Sequence, residues 1–239
     1  MRIYADCYEL MSEIFREVWE MGHIVHPNSM QNKVVKDDEN YITKEITNYS
    51  YCLTKLHKIE YLFLAEPDAR TWADAEFKER VDPYYENPGE AWKLRRHIWE
   101  EFINMGGRFD YAYNTRMAVS LNKVIHELKR NPDSRQAIIS VWNPELDIDG
   151  IGGSYRVPCS VYYQILIRDN RCNIVYNQRS ADVVVHFGND VYLAFRLMQY
   201  IAEKVGFRPG HLYHNIGSLH SYKKDWPTLK QCIEDIKIK

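Results

Sequence analysis

Several features that would place a chain in a specialised class are missing here. None of the 239 residues falls in a run approaching the ~20 apolar residues a membrane helix needs. The opening segment, MRIYADCYELMSEIFREVWEMG, lacks the continuous apolar core of a secretory signal. Charge of neither sign dominates: 31 Lys and Arg against 33 Asp and Glu leave a formal charge of −2, so no nucleic-acid footprint is present. Any anionic ligand must therefore be held by a few placed arginines. The five cysteines are odd in number and scattered, without a CxxC pair, which argues against a disulfide framework and against a zinc site. Internal repeats, low-complexity stretches and clear linkers are absent too. What remains is the expectation of a reduced, cytoplasmic, globular chain forming one domain over residues 1–239.

The first half reads as helical. Tyr8, Met11, Phe15, Val18 and Trp19 recur at helical spacing, predicting an amphipathic helix over 5–21 that ends at Gly22. Residues 23–40 are polar and irregular, and an aromatic-rich segment runs from Tyr41 to Leu64. Residues 66–90 carry EPDAR and VDPYYENPGE, turn punctuation that suggests a surface excursion. Pro88 then opens a helix through EAWKLRRHIWEEFINMG, and another runs from about Met117 to Lys129.

The second half changes character. QAIISVW, VPCSVYYQILIRD and CNIVYN are β-branched or aromatic runs between turn residues, and Asp169-Asn170 suits a hairpin turn. Asn189 and Asp190 precede VYLAFRLMQYIAEKVG, a helix closed by Gly206. The pattern is that of an α+β domain.

Four segments hold residues that such a pattern does not require. In VPCSVYYQ, Pro158 interrupts a strand just before Cys159, predicting a bulge or strand entry that exposes the thiol; a buried thiol is the plainer reading. In NQRSADVVVHFGND, Arg179-Ser180 offers a guanidinium fork beside a hydroxyl, suited to a phosphate or to a surface ion pair. Asp182 and Asp190 follow, and Asp190 also has the placement of a helix N-cap. In NPDSRQAIISVW, Arg135 stands at a strand entry, either as a second anion contact or as an exposed charge. In NIGSLHSY, His220 and Tyr222 alternate on one side of an extended segment, fit either for a sugar hydroxyl or for a half-buried sheet edge.

Together, in this order, these segments resemble the thymidylate synthase family from about residue 108 to residue 225. The resemblance implies a mixed, twisted sheet with flanking helices, packed back to back in a homodimer. It implies 5,10-methylenetetrahydrofolate as the one-carbon donor and a pyrimidine nucleoside monophosphate as substrate. Cys159 takes the place of the nucleophile, with Gln178, Arg179, Ser180 and Asp182 matching the Gln-Arg-Ser-x-Asp segment. Gly188 to Asp190 matches the loop that reads the base, and His220 and Tyr222 the pair that holds the ribose. Arg135 matches the arginine that reaches across the homodimer to the partner's phosphate site. Glu45 falls where the folate-side glutamate is expected, and Tyr113 near the active-site tyrosine.

Three positions depart from a synthase: Ser160 replaces the histidine after the cysteine, Gln136 the second arginine, and Asp190 the asparagine that reads uracil. An asparagine amide donates to O4 and accepts from N3–H, whereas a carboxylate only accepts. It suits the N4 amino group of cytosine, and it gains a second donor when addition at C6 makes N3 basic enough to take a proton. In this the chain is similar to the phage deoxycytidylate hydroxymethylases, which also lack that histidine, so the host cytoplasm is the natural setting. The resemblance implies that Cys159, its pKa lowered by Arg179, adds to C6 of dCMP. Glu45 would assist transfer of the carbon and place a water, and Tyr113 would help remove the C5 proton. The segment IEDIKIK lacks the apolar tail of the synthases, which favours 5-hydroxymethyl-dCMP over a methyl product. The alternatives are a methylating enzyme acting on dUMP or dCMP, a non-catalytic nucleotide-binding protein, and a cysteine hydrolase pairing Cys159 with His186, His214 or His220.

Overall fold

Alternating apolar residues in the second half build long strands, and the computed structural model, which describes residues 1–84 and 86–238, joins them into one sheet. In chain order the elements are β1 (Arg2–Tyr4), α1 (Cys7–Met21), β2 (His23–Val25), β3 (Ser29–Met30), β4 (Lys33–Val34), β5 (Thr43–Leu53), α2 (Ala69–Val81), α3 (Arg96–Trp99), α4 (Tyr113–Arg130), β6 (Ile138–Ser140), α5 (Pro144–Asp147), β7 (Ser160–Arg168), β8 (Arg171–Asp182), α6 (Phe187–Val205), β9 (Arg208–Tyr222) and α7 (Trp226–Ile238). The main sheet runs β1-β5-β9-β8-β7-β6, with β2 also paired to β5. β1 is parallel to β5 and β8 to β9, while the other pairs are antiparallel, so the sheet is mixed and the fold α+β. The Asp169-Asn170 turn joins β7 to β8 with both residues at positive φ, 49° and 58°, as a two-residue hairpin demands.

Register sets the site. Tyr51, His214, Tyr176 and Tyr163 lie side by side across β5, β9, β8 and β7, all buried. The next row holds Tyr49, Ile216, Gln178 and Ser160, also buried. α6 lies against the sheet, contacting β8 and β9, and twelve of its residues are buried. At ~1.5–3 kcal/mol for each fully buried Leu, Phe, Ile or Met, this helix contributes much of the core. Its first turn approaches the Ile59–Phe63 turn so closely that a Cβ on Gly188 would stand 1.8 Å from the Leu62 carbonyl oxygen. Gly206 ends the helix at φ 82°, the left-handed cap expected of it. On the opposite sheet face Gln164, Leu166, Val175, Asn177, Tyr213 and Asn215 remain only half-buried.

Four expectations need correction. Residues 66–90 are no surface excursion: they contain α2, which buries Ala69, Trp72, Ala73, Phe77 and Arg80. The turn residues there bracket the helix rather than replace it, and Tyr85 lies outside the described residues. The helix expected after Pro88 is broken into a 3-10 turn at Ala91–Arg95, the four-residue α3 and a second turn at Glu100–Phe102. Arg95 sits wholly buried in that segment, held by Glu66 at 3.0 and 3.1 Å and by the Val185 carbonyl at 3.1 Å, and this anchoring overrides helical spacing. α4 begins at Tyr113, four residues before the expected start. NIGSLHSY is no sheet edge but part of β9, which β5 and β8 flank on both sides. No described helix is long and apolar enough to cross a membrane.

Candidate active site

Pro158 has no N–H to give to a ladder, and the chain enters β7 through an irregularity: Ser160 pairs with Gln178 and Tyr162 with Asn177, leaving Val161 as an extra residue. Cys159 stands at this entry, half-buried, at the wall of a cavity of about 530 Å³. Its sulfur receives an N–H of Arg179 at 3.7 Å and the Gln31 amide at 3.8 Å. The Arg179 guanidinium is fixed by the Pro158 and Val157 carbonyls at 2.9 and 3.1 Å. Gln31, at φ 54°, also bonds the Val157 N–H through its side-chain oxygen at 3.2 Å. A left-handed non-glycine residue costs about 1–2 kcal/mol, and here it pins the 29–31 segment beside the thiol. The thiol pKa is raised, because burial outweighs the opposing pull of Arg179, contrary to the lowering expected from Arg179.

Asp190 lines the same cavity as Cys159. It is not the N-cap: that position is His186, whose side chain caps nothing, and Asp190 lies one turn inside α6. Gly188, Asn189 and Asp190 are thus helical rather than a loop. One Asp190 oxygen accepts the Gln178 amide N–H at 2.7 Å. Burial raises the Asp190 pKa to about 6, against the pull of the Gln178 bond. Asp182 closes β8 and accepts the Val184 and Val185 N–H groups at 3.0 and 3.3 Å, and burial lifts it likewise to about 6. His220 and His186 are pushed down to about 4 and about 3 by burial, so both are neutral near pH 7.

The remaining expected residues divide. Ser180, His220, Tyr222 and Tyr113 line the cavity, with the rings of His220 and Tyr222 5.0 Å apart. The Tyr113 hydroxyl bonds Ser160 at 2.9 Å, and Ser160 bonds Tyr176 at 2.6 Å, a relay of hydroxyls beside the cysteine. Glu45 is not at the cavity: on β5 it pairs with His220 and accepts the Ser218 hydroxyl at 2.8 Å. Carboxylates on α2 take that wall instead. Glu79 is occupied by the Glu90 and Ala91 N–H groups, whereas Glu76 bonds Arg80 at 2.8 Å through one oxygen. Arg80 in turn lies 3.7 Å over the Tyr113 ring. Arg135 is exposed and does not line the cavity of its own chain, but the outward-facing Gln164 bonds its carbonyl at 2.9 Å. Histidine does not hydrogen-bond the Cys159 sulfur, whose donors among the described residues are Arg179 and Gln31.

An aromatic wall was missed by sequence reasoning. Trp72 and Trp99 stack at 5.4 Å, and Trp92, Phe102 and Phe109 extend the surface. Among the described residues the buried indole N–H groups of Trp72 and Trp99 meet no acceptor. Arg156 lies 3.6 Å over Phe102, and its own buried Nε has no partner among the described residues. The only sequence signal was the density of tryptophan over 72–99. Among the described residues no group of His, Cys, Asp or Glu converges to hold a metal ion.

The family model described as thymidylate synthase matches residues 53–237. A protein of Methanosarcina barkeri carrying the name "Putative thymidylate synthase" is 29% identical over 134 residues, which make up 54% of this chain and 60% of that protein. The chain thus spans about three fifths of that relative's length. The solved structure of the thermostable thymidylate synthase A from Bacillus subtilis superposes with a TM-score of 0.69 at 17% identity, covering 96% of this chain and 84% of that one, a likeness of fold.

Proposed function

This chain belongs to the thymidylate synthase family, and from that premise we propose that it transfers a one-carbon unit to C5 of a cytidine monophosphate, converting dCMP to 5-hydroxymethyl-dCMP. The observation that carries the reading is the Asp190 carboxylate, which shares a cavity with Cys159 and has one oxygen already taken by a Gln178 donor. Arg179 and Ser180 would hold the phosphate, and His220 with Tyr222 the sugar.

Methylenetetrahydrofolate supplies the carbon at the oxidation level of formaldehyde. The stacked wall of Trp72 and Trp99, with two indole donors that meet no acceptor among the described residues, fits a planar heterocycle with acceptor atoms. At the nucleotide, the Cys159 sulfur bonds C6 while Arg179 stabilises negative charge at sulfur. The proton lost from the thiol is matched by one gained at N3, so the adduct is neutral and C5 is nucleophilic. Through the oxygen that Gln178 leaves free, Asp190 then accepts from both N3–H and N4–H, a pair stronger in the adduct than in the free base. Tyr113, through Ser160 and Tyr176, takes part in removing the C5 proton, and Glu76 replaces Glu45 as the carboxylate at the carbon-donor side. Once C5 has bonded the carbon and lost its proton, the carbon–nitrogen bond to the folate would break, releasing tetrahydrofolate and leaving a methylene on C5. Glu76, Asp182 and His220 would give a water several polar partners in the same cavity, which favours its addition at that methylene as the C6–S bond breaks.

We read the chain as a single catalytic domain acting in the cytoplasm as a homodimer. The half-buried outer sheet face would form the interface, and Arg135, beside that face, would reach the partner's phosphate site. Trapping tests the proposal. 5-Fluoro-dCMP with methylenetetrahydrofolate is expected to leave a covalent mass increase on the peptide containing Cys159, since fluorine at C5 cannot depart as a proton does. Absence of labelling at Cys159, or labelling with 5-fluoro-dUMP alone, would contradict it.

A further inference from the structure

We infer that His214 is a positioning residue for base selection, which through the Gln178 amide fixes how the Asp190 carboxylate meets the base. The inference rests on the cytidylate reading of this site. His214 is fully buried between the rings of Tyr176, at 4.3 Å and 15°, and Phe187, at 6.0 Å and 1°. Its two nitrogens have one polar partner each among the described residues. Nδ1 meets the Tyr51 hydroxyl at 2.9 Å, and Nε2 meets the Gln178 side-chain oxygen at 3.0 Å. The Gln178 nitrogen then donates to Asp190 at 2.7 Å. A continuous line of hydrogen bonds therefore runs from the core of the sheet to the floor of the cavity.

Only one polarity satisfies this line when Asp190 is ionised. A carboxylate accepts and cannot donate, so the amide nitrogen of Gln178 must face it. The amide oxygen then faces His214 and requires an N–H on Nε2. A neutral imidazole has a single N–H, so Nδ1 is the acceptor and Tyr51 donates to it. Burial keeps the ring neutral, pushing its pKa down to about 3. The reverse arrangement would set the amide oxygen against the carboxylate. Tyr51 and His214 thus hold Gln178 in the one orientation that occupies the second oxygen of Asp190 and leaves the first for the base. Packing alone does not call for an imidazole here, since an apolar ring would fill the space between Tyr176 and Phe187. Without His214, the Gln178 oxygen is a buried acceptor lacking a donor, and the amide is released to turn.

Two measurements on the full chain test this. Ring-selective 1H–15N spectra should show His214 with Nε2 protonated and Nδ1 bare, unchanged between about pH 7 and 8.5, where Asp190 is ionised. A proton on Nδ1, or a second proton gained in that range, would overturn the relay whichever nucleotide the enzyme prefers. In kinetics, His214→Phe should lower the ratio of kcat/KM for dCMP over dUMP by about tenfold, the effect of one displaced buried hydrogen bond. His214→Gln, which keeps a donor at similar reach, should restore most of the ratio. Tyr51→Phe removes one hydroxyl from an intact fold and should lower the ratio in the same direction. A folded His214→Phe or Tyr51→Phe with the wild-type ratio, or a Gln variant as impaired as Phe, would overturn the inference. A wild-type preference for dUMP would instead sink the cytidylate reading itself.

Discussion

Replacing Asp190 by asparagine changes one oxygen to an amino group, and the structure says which one. Gln178 donates an N–H to the carboxylate at 2.7 Å and is itself held by His214, so the new amide must keep its oxygen on the Gln178 side. Its NH2 therefore turns toward the cavity. Against cytosine this sets donor against the N4 donor, and the N3–H of the adduct loses the oxygen that accepted it. Against uracil the same NH2 meets the O4 acceptor. Leaving a buried polar group unpaired costs about 1–3 kcal/mol, lost with one base and recovered with the other. The ratio of kcat/KM for the two nucleotides should then swing by about 2–6 kcal/mol toward dUMP, at least about 30-fold. Steady-state kinetics with dCMP and dUMP on both proteins measures it. A folded variant that retains the wild-type ratio would refute the reasoning from the base edge.

Other consequences are as direct. Cys159→Ser should abolish turnover while calorimetry still detects dCMP binding; surviving turnover would place the nucleophile elsewhere. Glu76→Gln should lower kcat by about 100-fold or more, and Glu45→Gln by only a few-fold, if α2 supplies the carboxylate; equal losses would restore Glu45 to the chemistry. The raised pKa of Asp190 also has a stability sign. A carboxyl whose folded pKa is lifted from 3.8 to about 6 favours the fold below pH 4 and loses that contribution as pH rises through 6. Asp190→Asn should therefore raise Tm over wild type more at pH 7.5 than at pH 4.5, by up to about 6–12 °C, for at most about 3 kcal/mol at ~2–4 °C each. The comparison must be variant against wild type, because His186, His214 and His220, with depressed pKa values, lose stability in the opposite direction as pH falls. A variant Tm below wild type at pH 7.5 would show that Asp190 is not held against its charge.

The half of the site built from β7, β8, α6 and β9 was legible because its chemistry sits in short segments between clear strands. Pro158 marked the irregular entry to β7, and Arg179, Asp190, His220 and Tyr222 fell on the sides of β8, α6 and β9 that meet one cavity. The other half was not legible, for a physical reason. α2 mixes its buried Trp72, Ala73 and Phe77 with Asp74, Glu76 and Arg80, so the apolar stripe is thin. Arg80 and Arg95 are buried only because Glu76 and Glu66 pair with them, a tertiary fact that no spacing reveals. Glu45 was misplaced for a related reason: a strand position fixes which face a side chain takes, not whether the cavity extends that far. Nor did the sequence expose the line from Tyr51 to Asp190, which depends on the register of β5, β9 and β8.

The most direct test of the account is the product. Incubation of the protein with dCMP and methylenetetrahydrofolate, followed by mass analysis of the nucleotide, should show dCMP gaining one carbon, two hydrogens and one oxygen, with tetrahydrofolate released. A methylated nucleotide accompanied by dihydrofolate, or turnover of dUMP with dCMP left unchanged, would contradict it.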